Sequence, residues 1–213
     1  MPRIIPLFPL NLVAFPGEQL NLHIFEPRYR QMVKDCMDYD LSFGIVPVNN
    51  KKLADIGTEM DIIEIAHVYP DGKMDISTQG KSAFNLLSFQ EKLDDKLYSG
   101  GEIELLTDIE DSNLLLLSRV FEAIQQLYKA MNMSIDLPEP NLGFQIYSIA
   151  HKIALNNQQE LELLAIRNES ERLEYVLAHL ENMIPLVSQV EELRYKVKMN
   201  GHFKDALPPD FKI

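Results

Sequence analysis

Apolar and polar positions follow two rhythms along this chain, and the change comes near residue 108. Leu20, Leu22 and Ile24 alternate with polar neighbours, the period of a strand with one face on a core. Residues 4–8, 41–48, 58–69, 73–88 and 97–106 read as further strands. Pro70-Asp-Gly72 between two of them is a tight-turn signal, and Phe15-Pro-Gly17-Glu18 is another. Gly80 falls inside a strand pattern and marks a bulge or bend. One helix interrupts the series. Glu26-Pro27 opens it, because proline suits the first helical position. Phe25, Tyr29, Met32, Val33, Cys36 and Met37 then recur at three- and four-residue spacing.

After residue 108 the helical period takes over. Leu114 to Leu117, Val120, Phe121, Ile124, Leu127, Tyr128 and Met131 form one apolar face, ended by Leu137-Pro-Glu-Pro140. Residues 144–155 read as a second helix. Asn157 with Glu160 opens a third through a capping pair, and Asn168 with Glu171 opens a fourth. The fourth carries Leu173, Val176, Leu180, Met183, Val187, Val190, Leu193 and Val197 at three- and four-residue spacing. Pro185 predicts a kink or break within it, and Gly201 its end. The expected fold is α+β: a small closed or nearly closed β-barrel with one early helix over 1–108, a helical bundle over 109–200 and a C-terminal tail over 201–213.

Composition narrows the partners. The 213 residues are 46% hydrophobic, which makes a globular chain, and 20 Lys+Arg stand against 32 Asp+Glu for a net charge of −12. Such a balance opposes nucleic acid, whose affinity rests on Lys and Arg displacing counterions, and opposes anionic membranes. Cys36 is the single cysteine, so no internal disulfide forms, which fits a reducing compartment. The first ten residues hold three prolines and lead to no small-residue cleavage site, so they read as mature structure, and no apolar run reaches the roughly 18 residues of a membrane helix. The expected location is the cytoplasm.

Candidate chemistry is thin. Gly80-Lys81-Ser82 has the ending of a phosphate-binding loop, but Asp75 stands where that loop needs a glycine. Cys36 sits on the apolar stripe beside Met32, Val33 and Met37, the place of a buried small hydrophobe rather than of a nucleophile. His23, His67, His151, His179 and His202 fall at no metal-ligand spacing, with His151 and His179 read as decorating helices, and there is no Gly-x-Ser-x-Gly elbow. The expectation is a protein that is not an enzyme, with no cofactor and no metal.

Pro6-Leu-Phe-Pro-Leu10, Phe15-Pro-Gly17 and His23-Ile-Phe-Glu-Pro-Arg-Tyr-Arg30, in that order, resemble the start of the Lon protease N-terminal domain family, its stand-alone bacterial members especially. Leu41-Ser-Phe-Gly-Ile-Val46, Ile56-Gly-Thr58, and Asp71-Gly72 leading to Gly80 and Phe84 are similar to the motifs that follow. The resemblance implies a PUA-like β pseudo-barrel with a C-terminal helical bundle. It implies binding of unfolded or extended polypeptide, without catalysis, on behalf of a protease or chaperone partner. A chain ending at Ile213 is expected to lack the family's ATPase and protease parts. Phe15, His23, Phe25, Glu26, Arg28 and Tyr29 match the family motif and are the candidate polypeptide-binding residues. Glu26, Arg28 and Arg30 follow the turn as a polar rim beside a peptide groove or, the favoured reading, as structural residues, with Glu26 suiting a helix N-terminus and Arg28 an ion pair; Phe15 and Phe25 equally suit a barrel plug. The fourth helix offers a stripe for a homo-oligomer or for its own bundle. An RNA-binding PUA-like module and an unrecognised hydrolase stay open as alternatives.

Overall fold

The computed structural model of the chain describes residues 1–49, 52–109, 111, 113–141 and 143–205. Strands β1 (Arg3–Leu10), β2 (Gln19–Ile24), β3 (Phe43–Asn49), β4 (Lys52–Leu53), β5 (Ile56–Val68), β6 (Met74–Gln90) and β7 (Ser99–Leu105) form one seven-stranded sheet, and helix α1 (Pro27–Tyr39) lies between β2 and β3 in the chain. The sheet runs β1-β7-β6-β5-β3-β4, and β1 also pairs with β3 in parallel, Leu7 opposite Gly44 to Leu10 opposite Pro47. The pairings from β1 through β7, β6, β5 and β3 therefore return to β1, and the sheet closes on itself as an irregular barrel. β6 makes this work by its 17-residue length: β2 lies along its start, β7 along its end and β5 along it from Met74 to Asn85. This is the expected α+β arrangement, with β4 the strand that two residues were too short to announce.

Inward residues of the strands supply the core. Phe8, Ile24, Phe43, Ile45, Met60 and Ile76 pack with Tyr29, Met32, Val33 and Cys36 of α1, and Ile5, Leu7, Val46, Phe84 and Ile103 form a second cluster. Each fully buried aliphatic side chain contributes about 2 kcal/mol. Of the stripe its sequence displayed, α1 buries Tyr29, Met32, Val33 and Cys36, whereas Phe25 and Met37 are exposed; Asp40 closes the helix in the left-handed conformation (φ 54°), its N–H donating to the Cys36 carbonyl. Cys36 lies inside the core, and burial pushes its thiol up to about 12, so at neutral pH it packs as a small apolar group.

The chain divides into two compact units. One holds Met1–Asp111 and Gln145–Arg172; the other holds Ser112–Phe144 and Leu173–Ile213. Sequence patterning placed one boundary at residue 108; by contacts, the segment 145–172 groups with the sheet.

Within that segment the helix expected over 144–155 is a 3₁₀ helix, Ile146–Lys152. Ile146 and Ile149, and Tyr147 and Ala150, stand three apart and are buried, which suits three residues per turn. α3 (Asn157–Ala165) is capped one residue earlier than expected, by Asn156 with Gln159 instead of Asn157 with Glu160: the Asn156 side chain accepts from the Gln159 N–H, and Gln159 reaches back to the Asn156 N–H. α4 (Glu169–Asp205) runs unbroken through Pro185 and past Gly201, so neither break nor stop occurs there. Pro185 is exposed, where its ring meets solvent and only one helical N–H is lost. The tail expected over 201–213 is helical to Asp205 and beyond that lies outside the described residues.

In the second unit, α2 (Leu114–Ala130) is capped by the Asn113 side chain, which accepts from the Leu116 N–H, and buries Leu116, Leu117, Val120, Phe121, Ile124 and Leu127. Leu173, Val176, Leu177 and Leu180 of α4 are buried, whereas Leu186, Val190, Leu193 and Val197 further along it are exposed.

Candidate functional site

α1 presents a second, exposed edge beside its buried stripe, and that edge faces the β5–β6 hairpin. Between them runs a cleft of about 540 Å³ with Val33, Met37, Ile65 and Met74 as its apolar lining and Arg30, Gln31, Lys34 and Asp38 along the helix side. Met37 and Ile65 are exposed, so apolar area stands open to water here. Local chemistry holds the hairpin up. Gly72 has φ +80°, the conformation its turn requires, and its N–H donates to the Tyr69 carbonyl. Arg30 Nη1 donates to the Asp71 carbonyl at 3.0 Å and ties the turn to α1.

The opposite face of the same hairpin carries a polar and aromatic cluster. His23 on β2, Asp75 on β6 and His67 on β5 stand in register across three strands. His23 Nδ1 lies 2.6 Å from Asp75 Oδ1, and the Tyr69 hydroxyl donates to Asp75 Oδ2 at 2.8 Å. These two hydrogen bonds hold the Asp75 carboxyl below the usual carboxylate range, His23 first and Tyr69 second. Phe25 stacks near His23 at 6.2 Å and is 59% exposed.

The candidate residues from the motif therefore part company. His23, Phe25, Glu26 and Arg28 are at or near the surface, with Arg28 paired to Glu26 at 2.8 Å as the structural alternative anticipated. Phe15 is 0% exposed, stacked on Tyr147 at 5.1 Å and beside His151, so it is buried under the 3₁₀ helix rather than offered as an exposed anchor. Tyr29 is buried against Phe8, with Arg28 over its ring. Met37, Ile65 and Met74, which line the cleft, were read as ordinary core or strand positions. No local signal marks them, because exposure of an apolar residue depends on what the fold leaves unpacked around it.

Gly80-Lys81-Ser82 lies inside β6, not at the start of a helix, and Lys81 pairs with Asp61 at 3.2 Å. Lys81 is the extra residue of a bulge, since Glu59 opposes Ser82 and Met60 opposes Gly80. Among the described residues no group of three or more His, Cys, Asp or Glu is placed to hold a metal ion, and no helix is long and apolar enough to cross a membrane.

A family model for the ATP-dependent protease La (LON) substrate-binding domain matches residues 4–182. The chain belongs to this family. It is 26% identical over 220 residues to the Lon protease of Parabacteroides distasonis, covering 93% of this chain and 26% of that protein. It is 24% identical over 212 residues to the Lon protease of Buchnera aphidicola, covering 91% and 27%. The chain thus spans about a quarter of the length of these curated relatives. Among solved structures it resembles the Lon N-terminal domain protein from Xanthomonas campestris, with a TM-score of 0.63, 26% identity, and coverage of 83% of this chain and 98% of that one. The N-terminal domain of a Mycobacterium avium complex Lon protease shares the fold at a TM-score of 0.59, 12% identity, and coverage of 84% and 98%. As a LON substrate-binding domain, the chain keeps the whole cleft, residues 27–74, inside the matched span; α4 beyond residue 182 lies outside it.

The LON domain also contains a charged clamp that the sequence hid. His151 Nδ1 lies 2.8 Å from Glu160 Oε1, and Nε2 lies 3.1 Å from Glu18 Oε1, so His151 joins the β1–β2 turn, the 3₁₀ helix and α3 rather than decorating a helix. The Glu18 and Glu160 hydrogen bonds outweigh burial and push the His151 pKa up to about 9 from 6.5. A histidine whose folded pKa is raised stabilises the fold fully below its unfolded pKa and loses that contribution as pH climbs through the folded value. Thermal stability is expected to fall between pH 6.5 and 9. With 40% of the side chain exposed, screening reduces the effect to on the order of 1 kcal/mol. His151→Gln is expected to melt with a flatter profile across this window; a profile as steep as that of the parent would assign the effect elsewhere.

Proposed function

We propose that this LON substrate-binding domain is a non-catalytic, cytoplasmic polypeptide-binding module, and that extended segments of unfolded client chains lie in the cleft between α1 and the β5–β6 hairpin. The observation that carries the reading is the open apolar lining of that cleft, in a chain whose family is named for substrate binding. A site on two rigid elements holds its shape before the ligand arrives, which limits the entropy lost on binding. Exposed Phe25 and Val68 extend apolar surface around the hairpin. A protease or chaperone partner would then act on the client the domain holds. The buried thiol of Cys36 supports a binding role over a nucleophilic one.

The test measures binding of a reduced, alkylated, dye-labelled model polypeptide by fluorescence anisotropy. The Met37→Asp/Ile65→Asp variant is expected to bind at least about tenfold more weakly, the size that losing central apolar contacts produces. Leu115→Asp, at an exposed position of α2, is expected to bind as the parent does. Equal weakening by both variants, or none by the first, would move the site away from the cleft. Absence of any binding by the parent would end the polypeptide-binding reading.

A further inference from the structure

The cleft carries charge in an arrangement that says more about its ligand. Arg30, Lys34 and Asp38 stand one helical turn apart on the edge of α1, all three lining the cleft. Arg30 spends one guanidinium nitrogen on a carbonyl, that of Asp71, and has no carboxylate partner among the described residues. Lys34 is exposed and has neither hydrogen bond nor ion pair among them. Several cations elsewhere in this acidic chain sit on carboxylates, Arg3 on Glu59, Lys73 on Asp71, Lys81 on Asp61, Lys96 on Asp35 and Arg172 on Asp108 among them, whereas Arg167 meets the Thr107 carbonyl. Two adjacent cations without carboxylates, in a protein of net charge −12, leave a local positive rim above an apolar floor.

We infer that the cleft selects an extended polypeptide in which acidic and apolar side chains alternate, the carboxylates meeting Arg30 and Lys34 and the apolar side chains meeting Met37, Ile65 and Met74. Geometry supports the match. Residues one turn apart on a helix are separated by about 6 Å along its axis. Side chains two apart on an extended chain point the same way and are separated by about 7 Å. Successive acidic side chains of one extended segment therefore fall opposite Arg30 and Lys34, and the residue between them turns to the floor. Asp38 ends the positive stretch and fixes its length at two carboxylates. A single chain-terminal carboxylate would satisfy only one of the two cations.

This inference rests on the polypeptide-binding reading, and the experiment separates the two. Three dye-labelled peptides, acetylated and amidated so that only side chains carry charge, share the core Leu-x-Val-x-Leu with x as Glu, Gln or Lys. The Glu peptide is expected to bind about three- to tenfold more tightly than the Gln peptide, the range that two solvent-exposed ion pairs give, and the advantage is expected to shrink as salt rises. Lys34→Glu, at an exposed site whose folding is checked by its melting curve, is expected to reverse the order so that the Lys peptide binds tighter than the Glu peptide. Equal affinity for the Glu and Gln peptides, or an unchanged order in Lys34→Glu, overturns the charge inference and leaves the polypeptide reading standing. Failure of all three peptides, together with the model polypeptide, overturns both.

Discussion

Arg172→Met is expected to lower the stability of the LON domain by about 3–5 kcal/mol, the cost of stranding the Glu169 carboxylate, 12% exposed, without its cation, while the exposed Asp108 turns to water. Arg172 is 2% exposed, and every donor nitrogen it offers is used. Nε donates to the Ile166 carbonyl at 2.9 Å, Nη1 to Glu169 Oε2 at 3.1 Å and Nη2 to Asp108 Oδ1 at 2.5 Å. Its guanidinium also lies 4.2 Å from the centre of the Tyr147 ring. Glu169 in turn accepts from the Ile146 N–H at 2.7 Å, so one charged pair pins the end of β7, the 3₁₀ helix and the start of α4. Burial pushes the Glu169 carboxyl up even with Arg172 beside it, which shows how little water reaches the pair. Methionine keeps the length and apolar stem but leaves Glu169, Asp108 and the Ile166 carbonyl without their donor. Arg172→Lys keeps the charge yet cannot reach all three acceptors, and is expected to cost less, about 1–2 kcal/mol. Adding Glu169→Gln to Arg172→Met is expected to return part of the loss, because it removes the carboxylate left behind. Urea unfolding with separate tyrosine-fluorescence and far-ultraviolet readings checks this in a chain of two compact units. A loss below about 1 kcal/mol would mean that the pair behaves as a surface ion pair, and the account of its burial would fail.

What was legible in the sequence divides along the same line as local and non-local physics. Alternation at Leu20, Leu22 and Ile24, the Pro70-Asp-Gly72 turn and the Tyr29-to-Cys36 part of the α1 stripe are each set by residues within one element, and each appears as read, while Phe25 and Met37 at the ends of that stripe are exposed. The pairing of β1 with both β3 and β7 is not local, and nothing in residues 3–10 announces that the ring closes there. The same holds for the charged groups. Arg172 is a polar residue between Glu171 and Leu173 until Asp108, 64 positions away in sequence, is brought beside it. His151 meets Glu18 across 133 positions. For the candidate site, the motif that carries the family resemblance predicted contact residues but contained both buried and surface positions: Phe15 and Tyr29 are inside, His23 and Phe25 outside. The cleft itself depends on a gap between α1 and the hairpin, and a gap has no sequence pattern.

Gly80→Ala is the sharper case, since the change is one methyl group and the expected loss is again about 3 kcal/mol or more. A Cβ built on Gly80 falls 2.2 Å from the Phe15 carbonyl oxygen and 3.0 Å from its carbon, and these are backbone atoms with no rotamer to turn away. Nor can the β1–β2 turn retreat at low cost. Phe15 is wholly buried against Tyr147, its N–H donates to Glu18 Oε2, and Glu18 also holds His151. Gly80 is itself hydrogen-bonded to the turn in both directions: its N–H donates to the Glu18 carbonyl at 2.8 Å, and the Gly17 N–H donates to the Gly80 carbonyl at 2.9 Å. A methyl group forces the two stretches of backbone apart, so overpacking adds to the loss of two hydrogen bonds between the turn and β6. Gly17→Ala is the matched control. Its Cβ meets nothing within 4 Å, but its φ is +78°, so only the left-handed conformation is penalised, at about 1 kcal/mol. Melting curves that rank Gly80→Ala well below Gly17→Ala are the expected result. The reverse ranking would mean that the turn moves freely over β6, and that the glycine in Gly80-Lys81-Ser82 needs some explanation other than the close approach of Phe15.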